Sequence, residues 1–234
     1  MSNLAGLILL ATIFGGMAVL FWYTRSSGKM EINESFAMER GWDFKDVLPQ
    51  FGQAQRKRML KADDPFPWEL EISLRQSTSD VSIPVTSTIW RTDEVRLDEG
   101  MIVIGPKLTG GMEDIDLSSP LVAPFFRIFM GDLANEIGNL KPASMPASGN
   151  FMILASDPNR VPAVLDEGVL EEYRLWLTRF KTEETFPVML LTPNWLQFKI
   201  RKALKKADEV DRFVDFSIRS AQKIQTASPQ HHKL

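Results

Sequence analysis

Residues 4–23, LAGLILLATIFGGMAVLFWY, run for twenty positions without a charged side chain. At about 1.5 Å per residue a helix of that length spans roughly 30 Å, the hydrocarbon thickness of a bilayer. Trp22 and Tyr23 close the run with rings suited to the headgroup level, and Arg25 and Lys29 come after them. A cleaved secretory signal would need a basic stretch before the apolar core and small residues after it. Here Met-Ser-Asn precedes the run and Phe-Trp-Tyr ends it, so the sequence predicts an uncleaved transmembrane helix within residues 1–23. No Lys or Arg precedes this span, whereas Arg25, Lys29 and Arg40 lie after it. That asymmetry predicts a single-pass protein with its N-terminus outside and its long C-terminal part in the cytoplasm. Ala11, Gly15 and Ala18 share one stripe of the helix, the small-residue spacing through which two spans can pack as a homodimer.

Beyond the span the chain has the makings of a folded domain. Residues 24–31 are a short polar linker, and about 200 residues remain, enough for one substantial domain or two small ones. Charge is nearly balanced, with 27 Lys+Arg against 30 Asp+Glu, which argues against a nucleic-acid partner. There is no cysteine, which removes disulfides, thiolate metal sites and thiol nucleophiles. The two histidines, His231 and His232, lie in a tail of residues 226–234. Imidazole catalysis and most transition-metal sites therefore lack their usual group. No cofactor is expected.

Hydrophobic patterning gives an α+β expectation, antiparallel sheet covered by helices. Residues 32–40 read as a short helix with Asn33 as N-cap and Gly41 as its stop. Residues 42–48 read as a strand. Trp68, Leu70, Ile72 and Leu74 alternate with polar residues, the pattern of a half-buried strand, and residues 85–91 and 101–105 are further strand candidates. Ser119-Pro120 opens a helix on whose one side fall Val122, Phe125, Phe126, Phe129, Leu133 and Ile137. Residues 141–150, KPASMPASGN, form the best internal boundary, separating a strand-rich lobe over 32–140 from a second lobe over 151–225. That second lobe reads β-α-β-β-α: strand 151–155, a helical stretch after Asp157-Pro158, strands 186–191 and 195–200 around Thr-Pro-Asn, and a long helix over 202–225.

The runs FMILASDPNRVPAVLDEGVLEEY, FPVMLLTPNWLQFKI and DEVDRFVDFSIRSAQ, with Gly41-Trp42 near the start, carry a resemblance. They resemble the C-terminal part of bacterial proteins that pair one N-terminal span with a cytoplasmic α+β domain of unknown function. The resemblance covers about a third of the chain and rests on core positions, so it implies architecture and a bacterial origin, for which the membrane of the predicted span is the inner (cytoplasmic) one, but carries over no catalytic residue.

Candidate chemistry is sparse. Residues 109–116, TGGMEDID, lack both the alternating register of a calcium loop and the Lys-Ser/Thr of a phosphate loop, and are expected to be a solvated turn. Asp63-Asp64, Glu171-Glu172 and Glu183-Glu184 are sequence neighbours, which do not face each other on a helix. No serine sits in a Gly-x-Ser-x-Gly elbow. Two features point to binding instead. Arg56, Lys57, Arg58 and Lys61 lie a short tether from the bilayer and, with Arg25 and Lys29, are candidates for contact with its surface. The helix bearing Phe125, Phe126 and Phe129 is a candidate interaction helix. The expectation is a membrane-tethered binding or adaptor domain with a protein partner. The alternatives are an enzyme using carboxylate, lysine or hydroxyl groups, or a small-ligand or lipid-binding domain.

Overall fold

The computed structural model describes residues 30–47, 55–74, 86–106, 139–145, 151–180 and 182–227. The span over residues 4–23, Arg25 and Lys29, the 109–116 turn, the helix with Phe125, Phe126 and Phe129, and His231-His232 lie outside them. Among the described residues no helix is long and apolar enough to cross a membrane.

Nine strands form one sheet: β1 (Asp43–Val47), β2 (Gln55–Lys61), β3 (Trp68–Leu74), β4 (Ser87–Thr92), β5 (Ile102–Pro106), β6 (Lys141–Pro142), β7 (Phe151–Ala155), β8 (Val188–Leu191) and β9 (Leu196–Ile200). Their spatial order is β1-β2-β3-β4-β9-β8-β5-β7-β6. Every neighbouring pair is antiparallel. The β8–β9 hairpin lies between β4 and β5, so strands from 32–140 and from 151–225 alternate in the same sheet. β6 falls within the Pro/Ser/Gly stretch.

Residues paired across an antiparallel ladder point to the same face. Phe44, Met59, Leu70, Trp90, Phe198, Met189, Ile104 and Ile153 therefore make one continuous row across eight strands. All but Phe44 are buried. The helices lie on this face: α1 (Glu34–Met38), α2 (Val161–Val164), α3 (Glu167–Arg179) and α4 (Ala207–Ala227). Phe36 of α1 meets Trp42, which meets Trp68 edge-on at 5.0 Å. Tyr173 of α3 and Phe216 of α4 both pack on Phe198, and on each other at 5.3 Å. The opposite face carries Lys45, Arg58, Glu71, Ile89, Lys199 and Val188 in one row, so it changes from charged to apolar across the sheet.

Local signals explain the helix ends. Asn33 accepts the Phe36 N–H at 2.9 Å, and Gly41, at φ 66°, supplies the left-handed residue that ends the α1 turn. Asp166 accepts the Val169 N–H at 2.9 Å at the start of α3. Two helical expectations are corrected. The stretch after Asp157 is broken, because Leu165 turns extended and Asp166 caps a new helix. The last helix begins at Ala207 and not at Lys202. The Thr88 hydroxyl donates to the Lys202 carbonyl at 2.8 Å and accepts the Leu204 N–H at 3.0 Å, holding residues 201–206 as a pinned loop.

Candidate functional site

Strand geometry divides the basic cluster. β2 alternates, so Lys57 and Lys61 point with Met59 to the helix-covered face, and Arg56 and Arg58 to the other. The Lys57 ammonium donates to the Ile32 carbonyl at 2.7 Å and sits 5.4 Å over the Phe44 ring. Lys61 is 3.7 Å from Asp63. On the other face Arg58 lies 2.8 Å from Glu69 and 3.7 Å from Glu71, which is also 3.9 Å from Arg56. Register adds two cations that sequence order does not suggest: Arg91 opposite Glu69, and Lys199 one strand beyond Ile89. Burial pushes the Lys199 ammonium below its usual range, against the opposing pull of Glu71. On this half of the sheet Glu69 and Glu71 are shared between Arg56 and Arg58.

A second surface forms between α3 and α4, which run antiparallel. Lys223 reaches the Gly168 carbonyl at 3.1 Å at one end, and Trp176 packs on Phe213 and Phe216 further along. Outside this contact the two helices leave a groove of about 240 Å³. Its apolar lining includes Leu175, Trp176, Phe180 and Phe216. Trp176 stacks on Phe180 at 4.2 Å and donates its indole N–H to the Thr185 carbonyl at 2.8 Å, so this floor is fixed. Leu175 is 51% exposed, one of few large apolar side chains so presented among the described residues. Arg179, Arg212 and Arg219 flank it, with Asp215 and Glu172.

Glu172 is only 7% exposed and is held by Lys223 at 2.7 Å and Arg219 at 3.0 Å. Burial alone would raise its carboxyl, but the two hydrogen bonds and the charges behind them outweigh that and hold it below its usual range. Arg212 pairs with Asp208 at 3.2 Å. Arg179 makes no ion pair with a described residue.

A second hollow, of about 260 Å³, lies at the end of β5 and includes Gly100, Ser156, Asp157 and Arg160 in its lining. Its polar groups are engaged in holding the fold. Ser156 Oγ accepts the Met101 N–H at 3.0 Å, Asp157 accepts the Asn159 N–H at 3.0 Å, and Arg160 donates to Glu99 at 3.1 Å. Among the described residues no group of three or more His, Asp or Glu side chains converges where it could hold a metal ion.

The groove residues were invisible as a site in the sequence. Leu175 and Arg179 are four apart on the outer side of α3, and Arg212, Asp215 and Arg219 are three and four apart on α4, so each set reads as an ordinary solvated face. What makes them a site is that the two helices are neighbours.

No family model matches the chain, and no curated protein matches it. Among solved structures, the mycobacterial trehalose monomycolate transport factor A, TtfA, is similar over 84% of this chain and 93% of that chain, with 11% sequence identity and a TM-score of 0.44. A likeness at that level carries no argument about this chain.

Proposed function

We propose that this protein is a membrane-tethered binding domain, anchored by residues 4–23 with residues 30–227 in the cytoplasm, and that it holds a partner protein in the α3–α4 groove. The observation that carries the reading is Leu175, exposed on a rigid aromatic floor between arginines. Aromatic side chains and arginine are the residues enriched at interface centres, and the groove sets both beside Leu175. The fitting element is a helix with one large apolar side chain, flanked by carboxylates that meet Arg179 and Arg212. Three of the carboxylates lining the hollows, Glu99, Asp157 and Glu172, are engaged as a cap or in ion pairs, which favours binding over chemistry.

The test is a photo-crosslinking residue in place of Leu175 in the full chain, in native membranes. A protein captured there, not captured from Met38, and lost when Arg179→Glu and Arg212→Glu are added, supports the reading. Capture that is equal from Met38, or indifferent to the arginines, overturns it.

A further inference from the structure

The loop between β9 and α4 reads Arg201-Lys-Ala-Leu-Lys-Lys206, with four cations in six residues. It is pinned from inside. Ala203 and Leu204 are buried, and the buried Thr88 hydroxyl bonds the Lys202 carbonyl and the Leu204 N–H. It is also joined to the first residues of the domain. The Glu31 N–H donates to the Lys205 carbonyl at 2.9 Å, and the Glu31 carboxylate accepts the Ala207 N–H at 2.9 Å. The chain arriving from the tether is thereby clamped to this loop.

Pairing within the neighbourhood leaves two cations over. Lys202 is matched by Glu209 at 3.0 Å, Arg212 takes Asp208, and Glu31 is held at the start of α4. Lys205 and Lys206 are exposed and make no ion pair with a described residue. Six residues, 24–29, separate Tyr23 from Met30 and reach about 20 Å at full extension. Given the span of the proposed function, on which this inference rests, these two ammonium groups are confined within a tether length of the bilayer.

We infer that Lys205 and Lys206 dock the domain on anionic lipid headgroups of the cytoplasmic leaflet, fixing its orientation against the membrane. The tether brings the loop to the surface, and the pinned backbone turns both side chains outward without ordering a flexible segment. Lysines near an anionic surface each contribute a factor of about five to the docked-to-free ratio, so neutralising both lowers it about 30-fold. The effect weakens as salt shortens the screening length.

Because the chain has no cysteine, a single introduced one is a unique label. The full-length protein is placed in nanodiscs of phosphatidylcholine, or of phosphatidylcholine with phosphatidylserine. A donor sits at Met38→Cys, exposed and on the helix just after the clamped segment, and the acceptor is on lipid headgroups. Thr226→Cys, at the far end of the 21-residue α4 and about 30 Å from its start, is the distal control. Docking predicts more transfer from Met38→Cys with phosphatidylserine than without, little change from Thr226→Cys, and loss of the difference in Lys205→Gln/Lys206→Gln. Equal transfer in both lipids, or a lipid dependence that survives the double substitution, overturns it while leaving the tether intact. A chain that carbonate strips from the bilayer overturns the tether reading and this inference together.

Discussion

Replacing Glu172 with Gln asks how much the α3–α4 contact owes to one charge. The wild-type carboxylate is nearly buried, while Arg219 is 54% exposed and Lys223 36%. Charge-assisted hydrogen bonds contribute about 1.5–3 kcal/mol each when shielded, but partners this exposed reduce each to roughly 0.5–1 kcal/mol. Glutamine keeps the shape and one acceptor, and both cations can return to water. The expected loss is about 1–2 kcal/mol, or about 2–8 °C in Tm for a domain of this size. Removing a cation instead leaves a nearly buried carboxylate with one partner fewer, so Lys223→Met should cost at least as much as Glu172→Gln. Thermal unfolding of the full chain in detergent, monitored by near-UV circular dichroism, reads both.

The pH dependence separates charge from packing. The folded protein holds the Glu172 carboxyl below its unfolded value of about 4.3. Its contribution is therefore present above that value and lost as pH falls through the lower, folded one. The gap between wild type and Glu172→Gln should be full at neutral pH and close under strong acid. A gap that persists unchanged in acid, or no gap at neutral pH, refutes the electrostatic account.

Single side chains give further outcomes. The Tyr173 hydroxyl is buried without a hydrogen-bond partner among Phe151, Phe186, Phe198 and Phe216, and burial holds its ionisation far above the usual range. Tyr173→Phe should leave stability unchanged or raise it by about 1 kcal/mol, measured by urea unfolding. A loss above about 1 kcal/mol would mean that the hydroxyl is satisfied. At Gly100, φ is 76° and an added Cβ would stand 3.1 Å from Ser156 Cβ. Gly100→Ala should cost about 1–2 kcal/mol by the same assay, from the left-handed backbone alone and more if Ser156 cannot shift.

Much of the fold was legible because local rules decide it. Alternation located β3 from Trp68 to Leu74, Asn33 and Gly41 bounded α1, and Thr192-Pro-Asn formed the hairpin turn between β8 and β9. The Thr192 hydroxyl accepts the Asn194 and Trp195 N–H groups at 3.2 Å, a turn bond that the residue type foretells. Errors fell where a distant residue competes with local preference. Lys202 to Lys206 have good helix propensity, and nothing nearby says that Thr88, more than a hundred positions earlier, binds that backbone instead.

The same division explains why the faces on which the charged residues lie were not legible in the sequence. Arg56 to Lys61 drew notice as a run of like charges, but a run along a strand is two half-runs on opposite faces. One half then meets Glu69 and Glu71 across β3, and the other supports Ile32 and Phe44. Charge density along the chain therefore does not say which face of the sheet each cation of this segment occupies. Lys205 and Lys206 are fewer, but they leave a turn and not a ladder, so no strand partner stands opposite to neutralise them. Whether a cation is available depends on what its backbone pairs with, and β-sheet pairing joins residues that sequence distance keeps apart. At the first described residues, the clamp between Glu31 and residues 205–207 leaves two such cations exposed.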